Sequence, residues 1–502
     1  MSRNAKNRLL GTCLFALAIL QATCGFSESA TSVFPTEPGQ GEQNASNLAP
    51  TSKFGGLALC DPVLVESVLP FDVEPAYPSE NAPIHLDYFE SADQLQNDAF
   101  LRPISIGVGY DEGFIIASEG DSTVGEAQFP YRLKINGWGQ LRDTTFHSNG
   151  SNRDLNQLQL KRARVVLSGN AFSTDLSYFV QFDGRSNVAD SIRILDYYFS
   201  YDVGRHLWSA SPGTFGIRAG LYKMPSSLAR QLSGKELQFA DRSMSSIYFD
   251  VNRSLAFGLY GTVQALSKPV RWELAVFNGL VSGGAETGSS GALDNNNAFS
   301  GRVESYPTGE WGPGQLADLS HHGNLATRVG AGFATTTIDR SGSTEFSSLR
   351  TVDAGLQLVS LLPASVNSYD VAQYSVDGSM KYRGLSLTME YYFRNISGFR
   401  GGEVADLFDH GFWLQSGIFL VPRKLELLSR WSRITGNSGT LGSVNQSSDE
   451  ISGGGVWYFR DQHAKITMDA TYLNGAAINS SVLDISRGDI GWLLRTQLQF
   501  SF

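Results

Sequence analysis

The side chains in this 502-residue chain that could do chemistry are mainly arginine and lysine. Residues 131–275 hold 18 basic and 11 acidic residues, whereas 276–502 hold 16 and 21 and residues 1–130 only 5 and 17. The formal charge of −10 therefore conceals a basic stretch, within which Lys223, Arg230, Lys235 and Arg242 lie close together. A guanidinium grips an oxyanion through two parallel hydrogen bonds, and an ammonium attracts it as a mobile point charge. This chemistry attracts anions and makes no covalent bonds. The acidic total argues against a nucleic-acid binder, which would carry a basic excess overall.

Other reactive types form no constellation. His321 and His322 are adjacent, so on a strand they would point to opposite faces and share no metal. His147-Ser148-Asn149 contains hydrolase residue types, but a triad is set by geometry and not by adjacency in sequence. Gly283-Gly284 and Gly453-Gly454-Gly455 lack the lysine and serine of a phosphate-binding loop. With Cys13 and Cys24 in an export leader, Cys60 is left as the one thiol, too few for a disulfide framework or a cysteine metal site. Neither an enzyme nor a cofactor or metal site is expected.

Something must hold the cations in place. Residues 1–29 read as a signal peptide: Arg3, Lys6 and Arg8 precede an apolar run from Leu9 to Leu20, and small residues follow. Residues 30–130 read as an acidic, proline-rich linker or extension that buries little apolar surface, although Ile104 to Tyr110 and Phe114 to Ser118 are strand-like. From 131 to 502 a period of two dominates. Leu494, Thr496, Leu498, Phe500 and Phe502 share one face, and Arg495, Gln497, Gln499 and Ser501 share the other. Many such segments run about 9–12 residues, the length of a tilted membrane strand. Tight connections at 383–384, 422–424 and 461–463 alternate with long ones rich in Gly, Ser and Asn. Together these predict an all-β, transmembrane antiparallel β-barrel of about sixteen strands, with short periplasmic turns and long outer loops. The register across 307–324 and 338–372 is the weakest part of that count.

Residues 158–280 resemble the phosphate-selective porin family of O and P type. The matching pieces are Lys161-Arg162-Ala163-Arg164, Leu195-Asp196-Tyr197-Tyr198, Gly220-Leu221-Tyr222-Lys223-Met224-Pro225, Phe239-Ala240-Asp241-Arg242-Ser243 and Phe277-Asn278-Gly279. Asp241 stands where the family usually carries Glu. The terminal Phe502 resembles the aromatic end that the barrel-assembly machinery recognises. The resemblance implies a homotrimeric porin in the outer membrane of a Gram-negative-type bacterium, surrounded by lipid and passing small anions such as phosphate. It also implies that the third outer loop folds inward, and the strand count makes residues 223–253 that loop.

Alternation assigns fifteen cations and ten carboxylates to the lumen, Arg132, Lys134, Arg162, Arg164, Arg218 and Arg271 among the cations. Such a surplus inside low-dielectric walls favours anions. Lys223, Arg230, Lys235 and Arg242 are the candidates for the anion path at the constriction. Any one of them could instead pair with an acid and hold the wall or loop in shape. A barrel with a vestigial pore and surface-binding loops is the alternative reading.

Overall fold

The computed structural model describes residues 106–118, 131–184, 192–265, 267–280, 294–308, 310–341, 343–350, 356–437 and 447–502. The expected signal peptide and most of the 30–130 extension lie outside the described residues.

A hairpin of β1 (Ile106–Tyr110) and β2 (Phe114–Ser118) precedes the main sheet. The main sheet begins with β3 (Arg132–Ser148), β4 (Leu155–Asn170), β5 (Leu176–Gly184), β6 (Arg193–Tyr201), β7 (Phe215–Lys223) and β8 (Arg253–Ala265). It continues through β9 (Lys268–Phe277), β10 (Ala298–Ser305), β11 (Ala326–Asp339), β12 (Ser368–Tyr382) and β13 (Leu385–Arg400). The last five strands are β14 (Leu407–Val421), β15 (Leu425–Asn437), β16 (Ser447–Arg460), β17 (Ala464–Asn474) and β18 (Ile490–Ser501). From β3 to β18 each strand pairs antiparallel with the next, and β18 returns to β3, closing a sixteen-stranded barrel. Closure gives every strand of the ring a partner on both sides, which is what lets a sheet stand in hydrocarbon.

The outward positions form a continuous apolar belt that includes Leu141, Val165, Phe257, Leu274, Phe299, Val376, Met389, Ile451, Met468 and Phe500, all exposed. The inward partners on the same strands are polar and mostly buried. This inside-out arrangement is the one a bilayer solvent selects. Apolar residues that loops carry into the barrel form the internal cores.

The turns at one end are short. Arg383 and Gly384 have φ of 49° and 83°, the positive-φ pair that a two-residue hairpin turn demands. The expected rule of short turns at this end fails between β10 and β11, where residues 306–325 form a long segment. It tucks into the lumen: Lys381 Nζ and the Arg328 guanidinium lie 4.2 and 4.6 Å from the Trp311 ring centre. Leu316 joins the third loop's core, and the Asp318 carboxylate accepts from the Gly384 N–H at 2.7 Å. At the other end the strands run longer than alternation indicated. The first and sixth loops accordingly shrink to 149–154 and 401–406.

The hairpin has a clear purpose in the sheet. β18 pairs with β3 only from Trp138 onward, and β2 covers the remaining edge from Arg132 to Ile135. An uncovered edge would invite pairing with another chain. The chain end closes the same seam: Phe502 N donates to Gly137 O at 3.0 Å, and the Phe502 ring lies 6.2 Å from Phe114.

Candidate functional site

The third loop, residues 224–252, leaves β7 and folds into the barrel, as the resemblance implied. It carries two short helices, α1 (Leu228–Gln231) and α2 (Met244–Tyr248). Wall carboxylates seize its backbone. Glu390 accepts from the Leu228 and Ala229 N–H groups at 2.6 and 3.0 Å, Asp469 from Ala240 at 2.9 Å, and Glu450 from Met244. The opposite polarity works too, since Lys465 donates to Leu237 O at 2.7 Å and Arg430 to Asp241 O at 2.8 Å. Such charge-assisted bonds are about twice as strong as neutral ones. Many wall acids therefore fasten this loop.

Asp241 is the central bolt. Its carboxylate receives Arg142 at 2.8 Å and Arg162 at 3.0 Å, all three side chains being buried. Burial alone would push this carboxyl up, but Arg162 and Arg142 beside it hold it well below the usual carboxylate range. Small residues let the loop approach the wall, and a Cβ at Gly332 would overlap Ser226 O. Ser375 Oγ seals that contact by donating to Ser226 O at 2.6 Å. The loop's apolar side, with Leu228, Leu237, Met244 and Phe249, packs on Tyr392, Trp413 and Ile434 of the wall and on Ile478 and Leu483 of the eighth loop (475–489).

The four loop cations have different fates. Arg230 is buried and paired with Asp250. Lys223 Nζ donates to the carbonyls of Gln231 and Leu232 at 3.2 and 3.1 Å, and Arg242 to those of Ala229 and Leu232 at 2.8 and 2.7 Å. Both satisfy carbonyls at the C-terminal end of α1 and keep part of their surface open. Lys235 is half-buried, and its ammonium has no hydrogen-bond or ion-pair partner among the described residues.

The wall cations divide in the same way. Arg162 is committed to Asp241, and Arg164 is buried against Asp183 at 2.9 Å. Arg218 is partly open: it meets Glu273 at 3.3 Å and lies 5.1, 5.4 and 5.1 Å from the ring centres of Tyr198, Tyr222 and Tyr260. Arg271 is 61% exposed and lies 3.6 Å from Glu304. Arg132 and Lys134 stand at the short-turn rim beside Asp111 of the hairpin, at 3.9 and 3.4 Å.

Strict alternation placed two cations on the wrong face: a register shift between Gln181 and Phe182 turns Arg193 inward to Asp183 at 2.8 Å, and the other is Lys161. Between Gln140 and Leu141 the β3–β4 register shifts, so Lys161 turns inward beside Arg162 and meets Asp484 of the eighth loop. Such a bulge puts two successive residues on one side. The signal was available: two adjacent cations in a membrane strand would otherwise set one of them in lipid, at about 2–4 kcal/mol near the midplane.

Among the described residues no three metal-ligating side chains gather. His322 pairs with Asp318, and an exposed His147 lies 3.9 Å from Asp154. Charge, loop and wall build a lined lumen.

The closed barrel with its apolar belt is that of an outer-membrane protein. No family model matches the chain, and no curated protein matches it. Solved structures do. An anion-selective porin from Comamonas acidovorans aligns over 74% of this chain and 99% of its own at 10% identity, TM-score 0.49. OmpT of Vibrio cholerae in a trimer form covers 74% and 99% at 9% identity, TM-score 0.44. Salmonella typhi OmpF in complex with daunomycin covers 74% and 98% at 12% identity, TM-score 0.44.

Proposed function

We propose that this protein is a passive porin whose water-filled passage prefers anions, with phosphate or phosphate-bearing solutes as cargo. One observation carries the reading. The lumenal and rim charges that keep contact with solvent are mostly cations: Arg132, Lys134, Arg193, Arg218, Lys223, Lys235, Arg242 and Arg271, against Asp111, Asp202, Glu236, Glu273 and Glu304. Buried pairs take up most of the other acids. A low-dielectric wall focuses the field of the remaining cations into the passage. Phosphate as cargo, trimeric assembly, a Gram-negative-type host and recognition of Phe502 by the assembly machinery rest on the resemblance to the phosphate-selective O and P porins. In this reading Arg162, Arg164 and Arg230 hold the constriction in shape, while Lys223, Lys235 and Arg242 face the solute.

The purified protein in a planar bilayer under a salt gradient should open channels with a zero-current potential of anion sign. Phosphate should block chloride current, and K235A and R242A should weaken the block. A cation-sign potential would reject the anion preference.

A second reading has its own support. The third and eighth loops and residues 306–325 bury an apolar core inside the lumen, which suits a barrel with a vestigial pore and a binding role at the cell surface. Correct insertion with no conductance would favour it.

A further inference from the structure

A cavity at the outer end of the barrel is separate from the anion path just described. It measures ≈ 540 Å³ and is lined by Arg350, Leu356, Gln357 and Ser360 of the fifth loop (340–367) and by Asn479 and Arg487 of the eighth. Two guanidiniums, two amides and a hydroxyl face it, and none of its lining residues among the described ones is a carboxylate. That volume is typical of small-molecule sites and more than inorganic phosphate fills.

The backbone around it is pinned. The Arg487 N–H donates to Asn479 Oδ1 at 2.6 Å, and Asn152 of the first loop donates to Arg487 O at 3.0 Å and to Asp489 Oδ1 at 2.6 Å. On the facing side Arg350 and Gln357 pair as an antiparallel bridge, and Leu358 N donates to Leu349 O at 2.8 Å. Tyr248 of α2 and Arg394 of the wall both donate to Arg350 O, at 3.0 and 2.7 Å. The cavity thus rests on the third loop. Arg487 is exposed, and its guanidinium has no hydrogen-bond or ion-pair partner among the described residues. Burial and then the facing charge of Arg487 press the Arg350 guanidinium below its usual range, so the two cations repel. An anion placed between them removes that repulsion.

We propose that this cavity binds an anionic, hydroxyl-bearing solute of about sugar-phosphate size, Arg350 and Arg487 taking the charge and Gln357, Ser360 and Asn479 the hydroxyls. As a capture site at the entrance it builds on the porin reading, but binding itself does not require conduction. The test is calorimetric titration of the full-length protein in detergent with glucose 6-phosphate, inorganic phosphate and glucose at low salt. The expected result is saturable binding of glucose 6-phosphate, weaker binding of phosphate and none of glucose. R487A should lose about tenfold in affinity and R487K less, the loss of one charge-assisted contact. Equal affinity in R487A, glucose binding as well as its phosphate, or no binding by the wild type would overturn the proposal. Bilayer recordings on the same preparations separate the two ideas. Arg487-dependent binding without channels rejects the porin and keeps the site, and channels without binding do the reverse.

Discussion

Two arcs of one wall meet different fates. From β12 to β18, and on into β3, the inward side chains are buried under the third and eighth loops and residues 306–325. Arg142, Arg394, Arg430, Lys465 and Arg495 each hold a carboxylate, a carbonyl or a loop there. From β5 to β10 the same residue types keep contact with solvent in several places, as Arg193, Arg218, Glu273, Arg271 and Glu304 do. Alternation puts charges on the lumenal face of both arcs. What lies over them decides whether a charge is a fastening or a lining.

The comparison can be broken most forcefully at the bolt. D241N leaves Arg142 and Arg162 buried without their shared anion, and breaking such a pair costs about 3–5 kcal/mol. The third loop should come loose, with larger and noisier single-channel currents and a lower melting temperature. Normal currents and stability would mean that the loop is held elsewhere. A smaller effect is expected from the open arc. R218Q should fold normally and shift the zero-current potential toward the cation side, read in a bilayer under a salt gradient.

The next effect belongs to the fifth loop and its helix α3 (Ser343–Ser348). Glu345 is fully buried, its carboxylate accepts one hydrogen bond among the described residues, from Leu280 N–H at 2.5 Å, and burial pushes its carboxyl up to about 8. The folded state therefore holds this proton more tightly than the unfolded chain. The loop loses stability as pH rises from about 4.5 to about 8. The loss is on the order of 1–3 kcal/mol, the cost of an ill-paired buried group. Protease cleavage in this region should quicken at pH 9 relative to pH 5, and E345Q should abolish the difference. The smallest effect is expected at the rim, where Arg132, Lys134 and Asp111 are solvent-exposed or partly so. D111A should change stability by less than about 1 kcal/mol, measured by denaturant titration.

The strands were legible because lipid dictates one face of each. Apolar alternation at Leu385 to Phe393 or Ala464 to Tyr472 leaves little choice of register. The bulge at Lys161 escaped a strict period of two, since one extra residue reverses the faces beyond it. Residues 306–325 escaped for another reason. Trp311, Leu316, Ala317 and Leu319 are all buried, yet no strand or helix period links them, so only the folded chain shows that they enter the lumen. The third loop was placed by counting strands. The roles of its cations were not legible, because pairing depends on space: Arg230 meets Asp250 twenty residues on, and Asp241 meets Arg142 from 99 residues back.

The most direct test of the two-arc account is thiol accessibility during conduction. With Cys60 replaced by serine, R218C and T471C would each be exposed in an open channel to a small anionic thiol reagent. Thr471 is the comparator because it is buried on the packed arc. The account predicts that current through R218C falls on modification while T471C is untouched. Modification of T471C with R218C silent, or silence in both, would contradict a passage along the β5–β10 wall.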